Sequence, residues 1–398
     1  MTTTFHLPTR VILGRGAVDQ LGQVVRPLGS VALVLLGASS ARRTGAADRV
    51  VRSLQDAGVR TVVAPGVSSN PCVDQVDAAR ATARREGCDV VVAVGGGSVI
   101  DAGKVVGVSA DVESSAELLD PAVTSRRGLN VVAVPTIAGS GAEVTKGAIL
   151  SDTRRAARGG VRGAHLFPEV AVVDPDLQAS VPASHAVAAA FDCLTHAIEA
   201  LVAVGRTPFT DELAGRVVAL VADRLGPISR GEATDGLLDD LALASVMGGM
   251  CVANASTCLP HRLQQAMGAV PEILISHGQG LAAVYPAWLA QVQDVSPQSL
   301  RPVADALGTQ DVVEGVSRLL SAAGLHHGLS AHGFRSEHLP RLVAGVTGNL
   351  GNDPSFVDST RAERLLSLYE RSLPRLPIPR PAGRSHRTAP TATESRTP

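Results

Sequence analysis

Residues 89–106 read DVVVAVGGGSVIDAGKVV, which places an apolar strand, a glycine-rich turn and a helical stretch in direct succession. Residues 89–94 are predicted to form a strand, because after Asp89 they are apolar without alternation, a pattern typical of a strand covered on both faces of a parallel sheet. Further strands are predicted at residues 31–36, 60–63 and 130–134, and a helix at residues 73–86. Strands that alternate with helices of about 10–15 residues predict a parallel α/β sheet.

The character of the sequence changes after Asp174 and Pro175, where long helix-like stretches rich in Ala, Leu and Val replace the β-branched runs. We therefore predict an α/β domain over residues 1–178 and an all-α domain over residues 179–373. Residues 374–398 are rich in Pro, Arg, Ser and Thr and lack periodicity, which predicts a disordered tail.

Composition excludes several classes of protein. The 398 residues are 45% hydrophobic with a net charge of −1, which allows two domains and argues against a nucleic-acid or anionic membrane partner. The five cysteines lack CxxC spacing, so they are predicted to be buried, unpaired thiols in a reducing compartment. The N-terminal residues lack the apolar segment of a signal peptide. We expect a cytoplasmic protein, and a homo-oligomer is compatible with the sequence.

Two glycine-rich loops follow predicted strands. Glycines at positions 95–97 let the main chain approach a ligand, and the free N–H groups at a helix start attract phosphate, although the same sequence suits an ordinary tight turn. Ser98 is a candidate helix N-cap. Residues 136–145, TIAGSGAEVT, form the second loop, and two loops at the carboxyl ends of parallel strands would flank one ligand. No GxGxxG motif follows the first strand, so a standard Rossmann fold is not predicted.

Four side chains in the second half form a candidate metal site. Asp192 and His196 are separated by four residues, so on a helix they share one face. His261 and His277 follow much later in the chain. One carboxylate and three imidazoles suit a divalent transition metal such as Fe²⁺ or Zn²⁺. Taken singly, each histidine is more often an ordinary hydrogen-bonded residue than a ligand.

Five motifs in this order make the chain resemble the iron-containing (group III) alcohol dehydrogenase family, over residues 5–372. These motifs are GGGS-x-x-D-x-x-K at 95–104, PTIAGSGAEVT at 135–145, VVDPDL at 172–177, FDCLTHAIEA at 191–200 and SHG at 276–278. The resemblance implies a nucleotide-binding N-terminal domain, a helical metal-binding C-terminal domain and an active site in the cleft between them. It also implies a divalent metal and NADPH or NADH as cofactors.

The resemblance assigns roles to individual residues. The implied metal ligands are Asp192, His196, His261 and His277. The implied cofactor-binding residues are Ser39, Asn70, Gly96, Gly97, Ser98, Thr136 and Ser140. Many family members carry a second histidine four residues after the ligand at position 261, where this chain has Gln265. The segment between His261 and His277 is also about two residues longer than is common.

Two features bear on cofactor and substrate. The turn at Gly37, Ala38 and Ser39 lacks the carboxylate that pairs with the ribose 2′-hydroxyl in NAD-preferring members, which favours NADPH unless these small residues only shape the turn. This turn and Gln265 together resemble the family branch of phosphonate biosynthesis that reduces phosphonoacetaldehyde to 2-hydroxyethylphosphonate. Lys146 and Arg262 are candidate cationic partners for such a substrate, although each is also compatible with a solvated charge.

Other functions remain open at the level of the sequence. Butanol-type, lactaldehyde and maleylacetate reductases share the same motifs. Dehydroquinate-synthase-like cyclases share a related fold, but the DxxxH helix favours a dehydrogenase. A binding module that has lost catalysis is a further alternative, against which the retention of four candidate ligands argues.

Overall fold

The computed structural model describes residues 2–37, 44–154 and 157–374. The strands are β1 (Arg10–Leu13), β2 (Val31–Leu36), β3 (Arg60–Val63), β4 (Val90–Gly95), β5 (Asn130–Pro135), β6 (Gly147–Asp152), β7 (Ala157–Arg162) and β8 (Val170–Val173). Six of them form one parallel sheet in the order β1-β8-β5-β4-β2-β3. The predicted parallel α/β sheet is therefore confirmed.

The strand order locates the ligand-binding edge of the sheet. Counted from β2, the order β3-β2-β4-β5-β8 is the doubly wound order 2-1-3-4-5, which differs from the Rossmann order 3-2-1-4-5-6. The chain reverses direction across the sheet between β2 and β4. Ligands in such sheets bind beyond the carboxyl ends of the strands at this reversal, and here β4 ends there with Gly95.

Helices cover both faces of the sheet. They are α1 (Leu21–Val25), α2 (Ala46–Asp56), α3 (Val73–Glu86) and α4 (Gly97–Val108). Alternate residues of the central strands belong to two separate cores: Leu33 and Val91 pack in one, and Val34 and Val92 in the other. Burial on both faces explains why these strands are continuously apolar.

The second half contains helices only among the described residues. They are α5 (Ala183–Val202), α6 (Pro208–Val221), α7 (Leu225–Ser229), α8 (Asp235–Ala255), α9 (Leu259–Ala266), α10 (His277–Val295), α11 (Arg301–Leu307), α12 (Val312–Ala322), α13 (Leu339–Gly345) and α14 (Arg361–Ser372). Helices α5 and α8 are long and apolar enough to cross a membrane by length and composition alone. Most of each helix is buried inside the protein, as expected of core helices.

Three local expectations were wrong. Ser98 lies inside the first turn of α4, and Gly96 occupies the N-cap in an extended conformation. The strand predicted from residue 89 begins at Val90, because the Asp89 carboxylate accepts hydrogen bonds from the main-chain N–H groups of Ser30 and Val31. Of the five free cysteines, Cys72 is only partly buried because it precedes α3 at the surface.

One element was not predicted. Strands β6 and β7 form an antiparallel hairpin in which Gly147 pairs with Arg162. Its second strand contacts the turn at Met267–Ala269 in the helical half, and Arg158 lies against Gly268 there. The hairpin thus reaches from the α/β half to the segment that joins α9 and α10. Ala38, Ser39 and the predicted tail from residue 375 onward lie outside the described residues.

Candidate metal centre and cofactor cleft

Helix α5 presents three ionisable side chains on one face. Asp192, His196 and Glu199 are spaced by four and three residues, which places them one above the other along the helix. All three are buried. A buried stripe of this kind needs partners for its charges, because an isolated carboxylate is costly to remove from water.

The two remaining candidate ligands come from neighbouring helices. His261 lies in the first turn of α9, and His277 is the first residue of α10. Ser276 caps α10, its hydroxyl accepting a hydrogen bond from the N–H of Gln279 at 3.4 Å. The His277 side chain is 37% exposed whereas those of His196 and His261 are buried, so the site opens to solvent at His277.

The imidazoles of the three histidines converge on one carboxylate oxygen of Asp192. Asp192 Oδ1 lies 3.4 Å from Nε2 of His196, of His261 and of His277. Two ligands held about 2.1 Å from a metal at a tetrahedral angle are about 3.4 Å apart. Asp192 Oδ1 and His261 Nε2 are buried and have no hydrogen-bond partner among the described residues. The spacing and these two unpartnered atoms therefore fit a divalent metal.

Two further residues orient the imidazoles. His261 Nδ1 lies 2.8 Å from Glu199 Oε1, and the other Glu199 oxygen accepts the N–H of Cys258 at 2.6 Å. His277 Nδ1 lies 2.5 Å from Gln264 Oε1. Because each Nδ1 is held in this way, Nε2 is the nitrogen directed toward Asp192 and available to a metal. Sequence reasoning missed Glu199 and Gln264, although Glu199 shares the helical spacing of Asp192 and His196.

The pKa values of the two deeply buried histidines are shifted in opposite directions. Burial lowers the pKa of His196 to about 4, against the attraction of Asp192. Burial also disfavours the charged form of His261, but Glu199 and Asp192 outweigh it and raise the pKa to about 9. Burial alone would raise the pKa of Asp192, yet the neighbouring His196 and His277 hold it well below its usual range. Asp192 is therefore an anion within a set of imidazoles.

The side chains of Asn352 and Asp353 hydrogen-bond the main chain at the start of α9. Ser256 has φ 63° and ψ −179°, a conformation that costs a non-glycine residue about 1–3 kcal/mol. On either side of it, Asn352 Nδ2 donates to the carbonyls of Ala255 at 2.9 Å and Thr257 at 3.2 Å. Asp353 Oδ2 accepts the N–H of Leu259 at 2.9 Å. These contacts fix the direction in which α9 presents His261.

The glycine loops meet at the carboxyl edge of the sheet. Strands β4 and β5 are neighbours, with Gly95 opposite Pro135. A Cβ atom on Gly97 would lie 2.7 Å from Ser140 Oγ, so the loops touch. The structure thus brings together Gly96, Gly97, Ser98, Thr136 and Ser140. Exposed Asn70 lies beside them, since Ser98 Oγ donates to the carbonyl of Ser69, whereas Ser39 lies outside the described residues.

Asp101 and Lys104, from the first motif, form hydrogen bonds that connect α4 to the hairpin. Buried Lys104 Nζ donates to Thr145 Oγ1 at 2.9 Å and to the carbonyl of Gly147 at 2.8 Å. Asp101 Oδ2 accepts the N–H of Ile149 at 2.9 Å. Lys104 therefore joins α4 to the second loop and to β6, and Asp101 joins α4 to β6.

The second loop also packs against the helix that carries Asp192. A Cβ atom on Gly139 would lie 2.5 Å from the carbonyl oxygen of Ala189, which precedes Asp192 by three residues. The Gly139 N–H donates to Ser245 Oγ of α8 at 2.8 Å. The second glycine-rich loop therefore packs directly against α5 and α8, three residues before the candidate ligand Asp192.

Comparison with known proteins agrees with this architecture. Residues 8–175 match the family model described as iron-containing alcohol dehydrogenase, and residues 186–373 match the C-terminal model of the same family. The chain belongs to the iron-containing alcohol dehydrogenase family. It is thus an oxidoreductase, and the predicted α/β and all-α halves are those of this family.

Named relatives support the same conclusion. The chain is 33% identical to the probable alcohol dehydrogenase EutG of Escherichia coli over 84% of this chain and 86% of that protein. It is 29% identical to the NAD-dependent methanol dehydrogenase of Bacillus methanolicus over 83% and 85%. A solved iron-containing alcohol dehydrogenase of Thermotoga maritima superposes with a TM-score of 0.83 at 27% identity, covering 94% of this chain and 99% of that one. The expected divalent metal and nicotinamide cofactor agree with this iron-containing alcohol dehydrogenase family.

Proposed function

We propose that this chain is a metal-dependent, NAD(P)H-linked aldehyde reductase whose metal is held by Asp192, His196, His261 and His277. The observation that carries the proposal is the position of Asp192 Oδ1, 3.4 Å from three imidazole nitrogens. Fe²⁺ is the first candidate and Zn²⁺ the second, since both accept imidazole and carboxylate ligands. The proposed division into domains at residues 178 and 179 places all four ligands in the helical domain.

The residues of the chain prepare the cleft for reduction of a carbonyl group. When bound, the metal supplies Lewis acidity and the cofactor supplies a hydride, so that an aldehyde, NAD(P)H and a proton give a primary alcohol and NAD(P)⁺. Asp192 provides negative charge for the cation, and Glu199 and Gln264 fix the ring orientations of His261 and His277. The exposed edge of His277 leaves a path for the substrate.

The proposed cofactor site uses main chain more than side chains. Helix α4 starts at Gly97 directly beyond the end of β4, so its first N–H groups face the carboxyl edge of the sheet. These groups and the Gly96–Ser98 turn would bind the pyrophosphate, and Thr136 and Ser140 would line the other side. The absence of a carboxylate in the sequence at Gly37, Ala38 and Ser39 supports acceptance of NADPH.

Phosphonoacetaldehyde, reduced to 2-hydroxyethylphosphonate, is the leading substrate we propose. Its support is the pair of cationic residues beside the motifs: Arg262 is buried next to His261, and Lys146 is exposed immediately before β6. Butanol-type, lactaldehyde and maleylacetate reduction are the alternatives that the test below separates. A cytoplasmic location agrees with the five unpaired cysteines.

The test is a panel of small aldehydes with NADPH and NADH, run before and after metal removal. We expect chelation to abolish turnover and Fe²⁺, Zn²⁺ or Mn²⁺ to restore it. We also expect kcat/KM with NADPH to equal or exceed that with NADH. Full activity in verified metal-free protein would overturn the proposed mechanism. An NADH preference of about 100-fold, equivalent to about 2.7 kcal/mol, would show that a carboxylate reaches the ribose.

A further inference from the structure

Arg262 is a buried cation without an acidic partner. It is 2% exposed, and its guanidinium donates only to neutral oxygens, Gln265 Oε1 at 3.1 Å and Thr257 Oγ1 at 2.9 Å. Its Nε is buried with no hydrogen-bond partner, and among residues 2–37, 44–154 and 157–374 no ion pair joins it to a carboxylate, although Glu199 attracts it at longer range. Burial of an unpaired charge is costly, so the arrangement favours an anion from outside the protein.

Gln265 leaves a second donor beside this cation. Because Gln265 Oε1 accepts from Arg262, its amide nitrogen remains a donor, and no hydrogen bond from it is present in the described part of the chain. Gln265 is only partly buried, so this donor lies nearer to the cleft than Arg262 does. An amide donor and a guanidinium together suit the oxygens of a phosphonate, sulfonate or carboxylate.

The spacing along α9 relates this pair to the metal centre. His261 and Gln265 are four residues apart and share one face of the helix. Side chains so placed have Cβ atoms about 5–6 Å apart. A two-carbon aldehyde with an anionic group at the far end is of comparable length, so its carbonyl and its anion would lie within one helical turn.

The hairpin contributes further positive charge. Arg162, the last residue of β7, is exposed and pairs with Gly147, next to Lys146 in the chain. Burial and the charge of Arg162 both lower the pKa of Arg262, against the attraction of Glu199. Two arginines that repel each other are both stabilised by an anion that lies between them.

We propose that Arg262 and Gln265 form a subsite for the anionic group of a short aldehyde, with the charge of Arg162 adding to its positive potential. This inference rests on the proposed aldehyde reduction and adds the residues that select the substrate class. The subsite predicts that charge on the substrate, rather than chain length or branching, governs kcat/KM. Both arginines are charged at neutral pH, so the selection does not depend on titration.

The experiment compares phosphonoacetaldehyde with propanal, a neutral aldehyde of similar size, in the metal-loaded enzyme with saturating NADPH. Arg262→Gln should lower kcat/KM for phosphonoacetaldehyde by about 30-fold, the size expected for one charged hydrogen bond, and for propanal by less than about fivefold. Arg262→Lys should restore part of the loss. Arg318→Gln is the matched control, since Arg318 pairs with Glu314 on exposed α12, and it should alter neither substrate.

Two further measurements test the subsite even if the Arg262→Gln variant does not fold. Arg162→Gln changes an exposed residue and should raise KM for phosphonoacetaldehyde alone. Unreactive phosphonoacetate should compete with the aldehyde in the wild-type enzyme and bind it in calorimetry. Equal losses for both aldehydes in Arg262→Gln, or no phosphonoacetate binding, would overturn the subsite while metal-dependent reduction stands. Failure to reduce any aldehyde, with phosphonoacetate still bound, would instead overturn the proposed function.

Discussion

In the α/β half the candidate site consists of main chain and small residues, whereas in the helical half it consists of buried ionisable side chains. Gly97 and Gly139 matter because an added methyl group would meet Ser140 or Ala189. Asp192 and His261 matter for the atoms they carry. Substitutions that add atoms should therefore impair the glycine-rich loops, whereas substitutions that remove atoms should impair the metal centre.

The largest effect is expected from removing a candidate ligand. His196→Ala and His277→Ala should each lose metal and reduce turnover at least about 1,000-fold, because a Lewis acid contributes several kcal/mol to carbonyl activation. Metal content per chain, circular dichroism and aldehyde reduction should be measured together. Gln265→Ala is the matched variant from the same cleft and should keep its metal. Stoichiometric metal and a near-normal rate in either histidine variant would make that residue structural.

A smaller effect is expected from the residue behind a ligand. Glu199→Gln removes the charge that orients His261, so metal affinity should fall about 10–100-fold. A competitive chelator titration measures the affinity. Saturating metal should then restore most of kcat, which a general folding defect would not allow. An unchanged affinity would show that the hydrogen bond at 2.8 Å contributes only to packing.

The α/β half should respond to an added atom. Gly139→Ala places a Cβ about 2.5 Å from the Ala189 carbonyl and should separate the cofactor loop from α5. We expect about 1–3 kcal/mol of destabilisation and a higher KM for the cofactor, with metal content retained. Gly215→Ala is the control, because nothing lies within 4 Å of a Cβ there and α6 should gain about 0.5–1 kcal/mol. Thermal unfolding and cofactor titration measure both effects in both variants. An unchanged KM for the cofactor in Gly139→Ala would show that the Gly139 loop does not bind the cofactor.

The smallest effect is expected outside both regions. A chain that ends at Pro374 should keep its melting temperature and its kcat/KM within about twofold, because the composition of the removed residues cannot build a packed core. Differential scanning calorimetry and the aldehyde assay measure this. Loss of solubility or activity would show that the segment docks on one of the two halves.

The sequence alone determined the parallel sheet, the helical second half and the shared face of Asp192 and His196. These features follow from local sequence patterns, since buried parallel strands are short continuous apolar runs and side chains on a helix repeat every 3.6 residues. The hairpin β6–β7 was missed because its strand Ala157–Arg162, ARGGVR, has none of the apolar alternation that marks a strand. The candidate site residues were assigned as a set through the family resemblance that the five motifs carry, because no single spacing was specific.

Only the tertiary structure decided which atoms meet. That Asp192 Oδ1 lies 3.4 Å from three imidazoles depends on how α9 and α10 pack against α5, which no local pattern encodes. The same packing buries Arg262 without an acidic partner among the described residues, and places Glu199 and Gln264 behind the histidines. Burial sets the energetic value of each of these charges, and burial is a property of contacts between segments far apart in the chain.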